Sequence, residues 1–515
     1  MKWLRRERTL WDEVLFDQAV PEDHFLRQVE GTVDLSFIND LCGHLYRDGG
    51  RPAEEPERMF RMYLLMFLEN IPFETELARQ VHENPTYRWF CGFSFSDKVP
   101  DHSSFYVFRR RLGPQCFVTL FAAMVQLCQQ RGLVRNARWY LDPTDVRASA
   151  TPYSSYQKAL ALAWLLQEYL AGHEAEVAPL VQEKAQDLPT FMARLACEAV
   201  RFKRRKMIQR RLPNLRLEGT SIAGLRPLLM SLLGTARSQG APPRWSWDAL
   251  QKVVKGWLSD LPAGKGDPDA HLARTTDHEL FLGYWGTLVV DDGFEIILAA
   301  QLFTTHKAQP PTFLPTYQRA KATVGCPPTQ LGADAVFDTV AIETVLDEDG
   351  VNAFIPIWRR PGPSKDLLGQ EHFILYPDNR VTCPAGRPMT FLYERSSDGA
   401  LVFRGQGCQM CKLRSPCTRA RDGRKVYIHP ERWRQRQARR AKCQTPEHRS
   451  VMKDRFATME PVIGHGKTYH QMGKAHYRSL PMNQIGFLMS AMAVNIEKIV
   501  RYRDVSLSYA LAIPN

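Results

Sequence analysis

The chain reads as an α/β protein: a mixed sheet core preceded by a helical domain, interrupted by a helical insertion and carrying a small cysteine-rich insert. Three observations predict this. Helical periodicity dominates residues 1–135. Apolar, β-branched runs then alternate with helical ones over 136–150 and 265–375, the pattern of a mixed α/β layer. Four cysteines fall close together in a turn-rich stretch, 376–430.

The N-terminal helices are the clearest. After "GRPAEEPER", Met59, Phe60, Tyr63, Leu64, Phe67 and Leu68 follow helical spacing, with Pro52 and Pro56 as punctuation. "ENIPF" is a tight turn with Pro72 before a second helix, Glu74–His82. Such a pair is compatible with a helix-turn-helix that reads DNA. "PDHSSFYVFRRRLG" offers Asp101 or Ser103 as an N-cap and Gly113 as a stop; its Arg109, Arg110 and Arg111 are candidate phosphate contacts.

From Ala137, "ARWYLDPTDVRASA" suggests a strand around Asp142. Residues 151–264 then read as helices (Tyr156–Leu170, Val177–Leu212, Ile222–Leu233) and include the basic run "RFKRRKMIQRR". Strand character returns at "LFLGYWGTLVVDDGFEIILAAQLFTT", where two apolar runs meet at Asp292-Gly293, a hairpin signal. "PTFLPTYQRAKATVG" is a helix, "TQLGADAVFD" a short strand ending at Asp334, "TVAIETVLDEDG" a helix and "VNAFIPIW" a strand. Residues 431–515 are helical again, basic at first and apolar at the end.

Length and charge bound the function. At 515 residues the chain exceeds one ordinary core. Its net charge of +13 favours a polyanionic partner, nucleic acid first. "MKWLRRERTLWDE" has cations but no apolar run behind them, and the longest apolar stretch, Ala159–Leu166, is too short for a membrane span. Eleven scattered and clustered cysteines suit a reducing cytoplasm better than a disulfide scaffold.

Three acids stand where metal chemistry could use them. Asp142 and Asp334 lie at strand ends and Glu460 on a late helix, in "EPVIGHGK", where Lys467 shares its face. Clustered carboxylates bind hard divalent cations, Mg²⁺ above all. Asp145 and Asp338 are near enough in sequence to support them, whereas Asp291 and Asp292 fit turn chemistry. Cys383, Cys408, Cys411 and Cys417, spaced Cys-x24-Cys-x2-Cys-x5-Cys, suit a structural Zn²⁺ site; free thiols and iron–sulfur ligation are the rivals. His306 and His465 read as lone, satisfied polar residues.

These segments together resemble the DDE transposases of bacterial insertion sequences. "HFLRQVEGTVDLSFINDL", "GRPAEEPERMFRMYLL" and "VPDHSSFYVFRRRLG" are similar to their helical N-terminal domain; "LDPTDVRASA" and "GADAVFDT" resemble the two aspartate segments. "RFATMEPVIGHGKTYHQMGKAHYRS" resembles the Tyr-Arg-Glu-Lys signature helix. Its Glu460 and Lys467 match at the signature spacing. Arg455 stands five positions before Glu460 where four is commoner, and Met452 occupies the region of the signature Tyr.

The resemblance implies a ribonuclease H-like core in which Asp142, Asp334 and Glu460 hold two Mg²⁺ ions, Mn²⁺ substituting. It implies that Arg455 and Lys467 hold phosphates of the transposon end. The expected activity is hydrolysis at terminal inverted repeats and strand transfer to target DNA, by a homodimer or higher multimer on double-stranded DNA. A catalytically inactive DNA-binding copy and a stand-alone metal-dependent nuclease are the alternatives. Residues 431–515 are expected to complete the catalytic core.

Overall fold

Helix punctuation sets the N-terminal layer of this computed structural model, which describes residues 3, 7–47, 49, 52–242, 244–275, 279–305, 309–357, 367–369 and 372–503. Seven helices come first: α1 Leu10–Ala19, α2 Phe25–Thr32, α3 Phe37–Cys42, α4 Pro56–Leu68, α5 Glu74–Glu83, α6 Pro85–Phe90 and α7 His102–Gln130. Pro56 opens α4, and its residues from Arg58 to Leu68 are all buried. A helix apolar on every side belongs inside a core. Asp101 caps α7 through the Ser103 and Ser104 amides, and α7 bends at Gly113, whose φ of 69° breaks the helical path. By length and composition α7 could cross a membrane. Here the kink divides it, and Phe105, Phe108, Leu112, Phe117, Leu120 and Phe121 pack into the protein core.

The sheet follows. Its strands are β1 Arg138–Ala148, β2 His271–Arg274, β3 Leu280–Asp291, β4 Ile297–Thr304, β5 Gln330–Ala333 and β6 Asn352–Phe354. β1 is central. β3 lies antiparallel to it over nine register pairs, and β2 and β4 share the far edge of β3. On the other side β5 runs parallel to β1, and β6 parallel to β5. The hairpin joining β3 to β4 turns at the expected place. Asp291 is fully buried there, accepting the amides of Arg135, Asn136 and Gly293.

The helical insertion between β1 and β2 comprises α8 Ser155–Leu170, α9 Glu174–Lys184, α10 Leu188–Val200, α11 Arg205–Arg211, α12 Arg226–Ser238 and α13 Trp247–Asp260. The single helix expected over 177–212 is three. Asp187 caps a new helix with Pro189 in its first turn, and Arg201 adopts the left-handed conformation that ends it. The insertion has its own core around Leu162, Trp164, Phe191 and Leu229.

Helices α14 Phe313–Val324 and α15 Val340–Glu348 connect the later strands. The cysteine-rich unit follows, with β7 Met389–Arg395, β8 Ala400–Gly405, the short α16 Arg414–Cys417 and β9 Lys425–Ile428. β7, β8 and β9 form one antiparallel sheet. Then come α17 Pro430–Cys443, α18 Pro446–Tyr469, β10 Lys474–Ala475 and α19 Leu480–Arg501. α19 is almost wholly buried and lines the outer edge of β4. Asn495 pairs with both backbone groups of Ile297, and Gln484 bonds Leu302 N and Ala300 O. These amides satisfy an edge strand that would otherwise be open. One hydrophobic core runs from Leu26 through the sheet to Val500, so the N-terminal helices and the sheet pack as one body. His306 lies outside the described residues.

Candidate active site

The parallel pairing of β1 with β5 ends where the acids begin. Arg138 pairs with Gln330, and Leu141 with Ala333. The next residue on each strand is an aspartate, Asp142 and Asp334. Adjacent strands stand about 4.8 Å apart, so the two carboxylates are neighbours. On this side β1 is next paired only at Arg147, by Lys474 of β10. Residues 142–146 therefore face a gap in the sheet, and α18 packs over it against β1 and β5. Gly332 permits this approach: a Cβ there would meet Tyr140 at 3.0 Å and Val451 of α18 at 3.4 Å.

Two cations of α18 reach into the gap. Arg455 Nη1 lies 2.7 Å from Asp142 Oδ2, and its Nη2 lies 3.9 Å from Asp334 Oδ1. Lys467 Nζ donates to Asp145 Oδ1 at 2.7 Å. Asp334 also accepts its neighbour's amide, Ala335 N, at 2.6 Å. Glu460, on the same helix, is exposed.

Electrostatics mark Asp142. Burial pushes its carboxyl up to about 6; Arg455 opposes this, while the charges of Asp334 and Glu460 add to it. Both acids therefore bear on Asp142 electrostatically. Asp145 behaves oppositely: burial raises it, but Lys467 and Arg147 outweigh burial and hold it below the usual carboxylate range.

The donor set fits hard divalent cations, being all oxygen with one face open to solvent. A guanidinium already bridges Asp142 and Asp334, marking where positive charge is stabilised. Among the described residues, the group of three metal-ligating side chains whose ligand atoms lie within 4.8 Å of one another is His465, His470 and Glu497.

Other sequence-predicted residues fall elsewhere. Arg109 is buried, ion-paired with Glu74 and 4.0 Å from the Tyr477 ring centroid. Its role as a phosphate contact is corrected on this ground: its charge is spent inside the core. Arg111 stacks on Tyr46 at 4.4 Å, and Arg110 is exposed. The α4–α5 pair does not present a groove-reading helix. α4 is buried, and α5 shows solvent Glu76 and Glu83 around Arg79. Asp338 is committed to α17, through Arg439 at 2.5 Å and Arg436 at 3.8 Å. The run 201–211 remains a solvent-facing basic surface; only Ile208 in its helix is buried. Phe456, 65% exposed, stands one turn before Glu460 on the same helix face.

Cys383, Cys408, Cys411 and Cys417 all line one small cavity, but they do not form a group of three whose ligand atoms lie within 4.8 Å of one another. Cys383 sits in a tight turn, its amide bonded to Arg387 O and its carbonyl accepting Gly386 N. Cys411 N bonds Cys408 O in a second turn.

Residues 14–111 match the family described as "Transposase domain (DUF772)" and residues 382–500 match "Transposase DDE domain". A Rhizobium meliloti protein described as "Uncharacterized protein ORF8 in nfe locus" is 32% identical over 154 residues, 28% of this chain and 74% of that protein. No solved structure matches.

Proposed function

Since the chain belongs to the DDE transposases of insertion sequences, we propose that it binds the terminal inverted repeats of its element and catalyses metal-dependent strand cleavage and strand transfer. The observation that carries this reading is the β1–β5 register, which sets Asp142 beside Asp334, with Glu460 brought over them by α18. The strand order, with antiparallel β3 between β1 and the β2/β4 edge on one side and parallel β5 and β6 on the other, supports a ribonuclease H-like core.

Asp142, Asp334 and Glu460 would hold two Mg²⁺ ions, or Mn²⁺, which supply activation of a water or 3′-hydroxyl and stabilisation of the leaving oxygen. Asp142 must surrender a proton held up to about 6, and Arg455 must leave it. Arg455 Nε has no hydrogen-bond partner in its present position. Once turned away from Asp142, the guanidinium can offer paired donors to a phosphate. Lys467 holds Asp145, and so the position of β1, while remaining part-exposed to a DNA backbone. The basic surface at 201–211 and Arg110 suit non-specific backbone contact. Cys383, Cys408, Cys411 and Cys417 would close a structural Zn²⁺ site. The working unit is a homodimer or higher multimer on double-stranded DNA.

Incubation with Mg²⁺ and a duplex carrying the element's ends tests the proposal. Cleavage should be followed by joining to a target duplex. Nicking without joining indicates a nuclease, and binding without cleavage in Mg²⁺ or Mn²⁺ indicates a DNA-binding protein. If Asp142→Ala, Asp334→Ala and Glu460→Gln all leave cleavage untouched, the acid assignment is wrong.

A further inference from the structure

At the far end of α18 from Arg455, three ligand atoms converge that the proposed chemistry does not use. His465 Nε2 lies 2.6 Å from Glu497 Oε2. His470 Nε2 lies 3.2 Å from the same oxygen and 3.3 Å from His465 Nε2. His465 is in the last turns of α18, His470 in the segment just after it, and Glu497 on α19.

We propose that His465, His470 and Glu497 bind one divalent transition-metal ion, with Zn²⁺ the best fit, which clasps α18 to α19. The geometry supports it. Zinc bonds to imidazole and carboxylate are about 2.0–2.2 Å, which places tetrahedral ligands roughly 3.3 Å apart. Two of the three observed separations are already at that value, and the third closes a hydrogen bond that a metal would open slightly.

Protonation points the same way. His470 is fully buried, and its Nδ1 is 2.9 Å from the Phe67 carbonyl. A carbonyl only accepts, so Nδ1 carries a proton, and Nε2 is the ring nitrogen turned toward the carboxylate oxygen and the other imidazole. One cation among them would contact all three ligand atoms at once.

The carbonyl partner is also the kind of outer contact that orients a metal-binding histidine. Two imidazoles and a carboxylate suit zinc and neighbouring transition ions, not Mg²⁺. His465 and Glu497 keep side-chain exposures of 39% and 31%, leaving room for water as a fourth ligand. The clasp would act at a seam: Gln471, the next residue, donates to Met66 O and Ile71 O at the end of α4. An ion here therefore ties the last turns of α18, including Lys467, to both α19 and the N-terminal layer.

The test needs no cleavage assay and so stands or falls apart from the proposed function. The chelator-treated full chain is titrated with Co²⁺ and Zn²⁺, alongside His465→Ala, Glu497→Gln and the double variant Cys408→Ser/Cys411→Ser. In the cysteine variant the expected result is a weak visible Co²⁺ band without thiolate charge transfer, from one imidazole-bound ion per chain that the wild type holds as well. His465→Ala and Glu497→Gln should each weaken that ion more than about a hundredfold, beyond the loss typical of an outer contact. Both side chains are part-exposed, so the metal-free variants should keep the native circular dichroism. A wild-type chain that binds no such ion, or binding equal in both variants, overturns the proposal. It would leave two histidines sharing a proton with Glu497 only.

Discussion

Asp142 stands on β1 and Asp334 just past the end of β5, strands of a hydrophobic core that runs from Leu26 to Val500. Cys383, Cys408, Cys411 and Cys417 instead surround a small cavity in a unit whose described core comprises nine buried side chains, among them Phe373, Phe403, Val426 and Trp433. The difference concerns what each site asks of its metal. The acids are positioned by β1–β5 pairing and by α18, all stable through packing. Metal there is an addition to a finished fold. The cysteine unit has little apolar area to bury; on the proposed reading, metal ligation there supplies folding energy that packing does not.

The largest expected effect breaks the second half of that contrast. Cys408→Ser with Cys411→Ser removes ligation worth on the order of 10 kcal/mol at neutral pH. Residues 373–433 should become protease-sensitive while the sheet's melting transition persists, as limited proteolysis and calorimetry would show. Protection unchanged in the variant would mean that the unit folds without metal.

Next come the acids. Asp334→Ala or Glu460→Gln should lower cleavage more than about a thousandfold, several kcal/mol of transition-state stabilisation, with the melting midpoint nearly unmoved. Asp334 is half-exposed and Glu460 exposed, so neither substitution opens a cavity.

Arg109 sharpens the boundary between packing and function. Glu74→Ala strands its buried charge and should cost about 3–5 kcal/mol by chemical denaturation, without changing the salt dependence of DNA binding. Arg110→Ala should do the reverse, leaving stability alone and lowering the salt slope by about one.

Asp142 gives a pH prediction. Its folded carboxyl titrates near 6, above the unfolded 3.8. Between these values the folded chain holds more protons than the unfolded one. This group's contribution to stability therefore falls as pH rises from about 4 to about 6. Asp142→Asn removes that penalty and should stabilise the metal-free protein at neutral pH by up to about 3 kcal/mol. Metal needs the ionised form, so Mn²⁺ affinity should rise up to about tenfold per pH unit below 6 and level off above. Calorimetric titrations giving one affinity at about pH 5 and about pH 7 would contradict this.

What could be read in advance follows the same division. The β3–β4 hairpin, the strand around Asp142 and the helix carrying Glu460 were legible, because each rests on local periodicity and turn chemistry. The spacing of Cys383, Cys408, Cys411 and Cys417 marked the unit whose small cavity they line. The pairing of Arg455 with Asp142 was not, since it joins residues far apart in the chain across a gap between β5 and the two-residue β10. Arg109 shows a signal that went unread. Phe105, Phe108 and Leu112 lie at helical spacing around it, which places it on the apolar face rather than with a solvated basic run. Trp247–Asp260 escaped as a helix, although Ser246 caps it and Leu250, Val254 and Trp257 bury one stripe. His465 read as isolated because Glu497 comes from another helix.

The central claim is that the sheet gap between β5 and β10 is a two-ion site. Anomalous diffraction from crystals of the full chain soaked in Mn²⁺ tests it most directly. The account predicts manganese peaks between Asp142, Asp334 and Glu460, with Arg455 drawn off Asp142. Arg455 still seated on Asp142, and no manganese among the three acids, would contradict it.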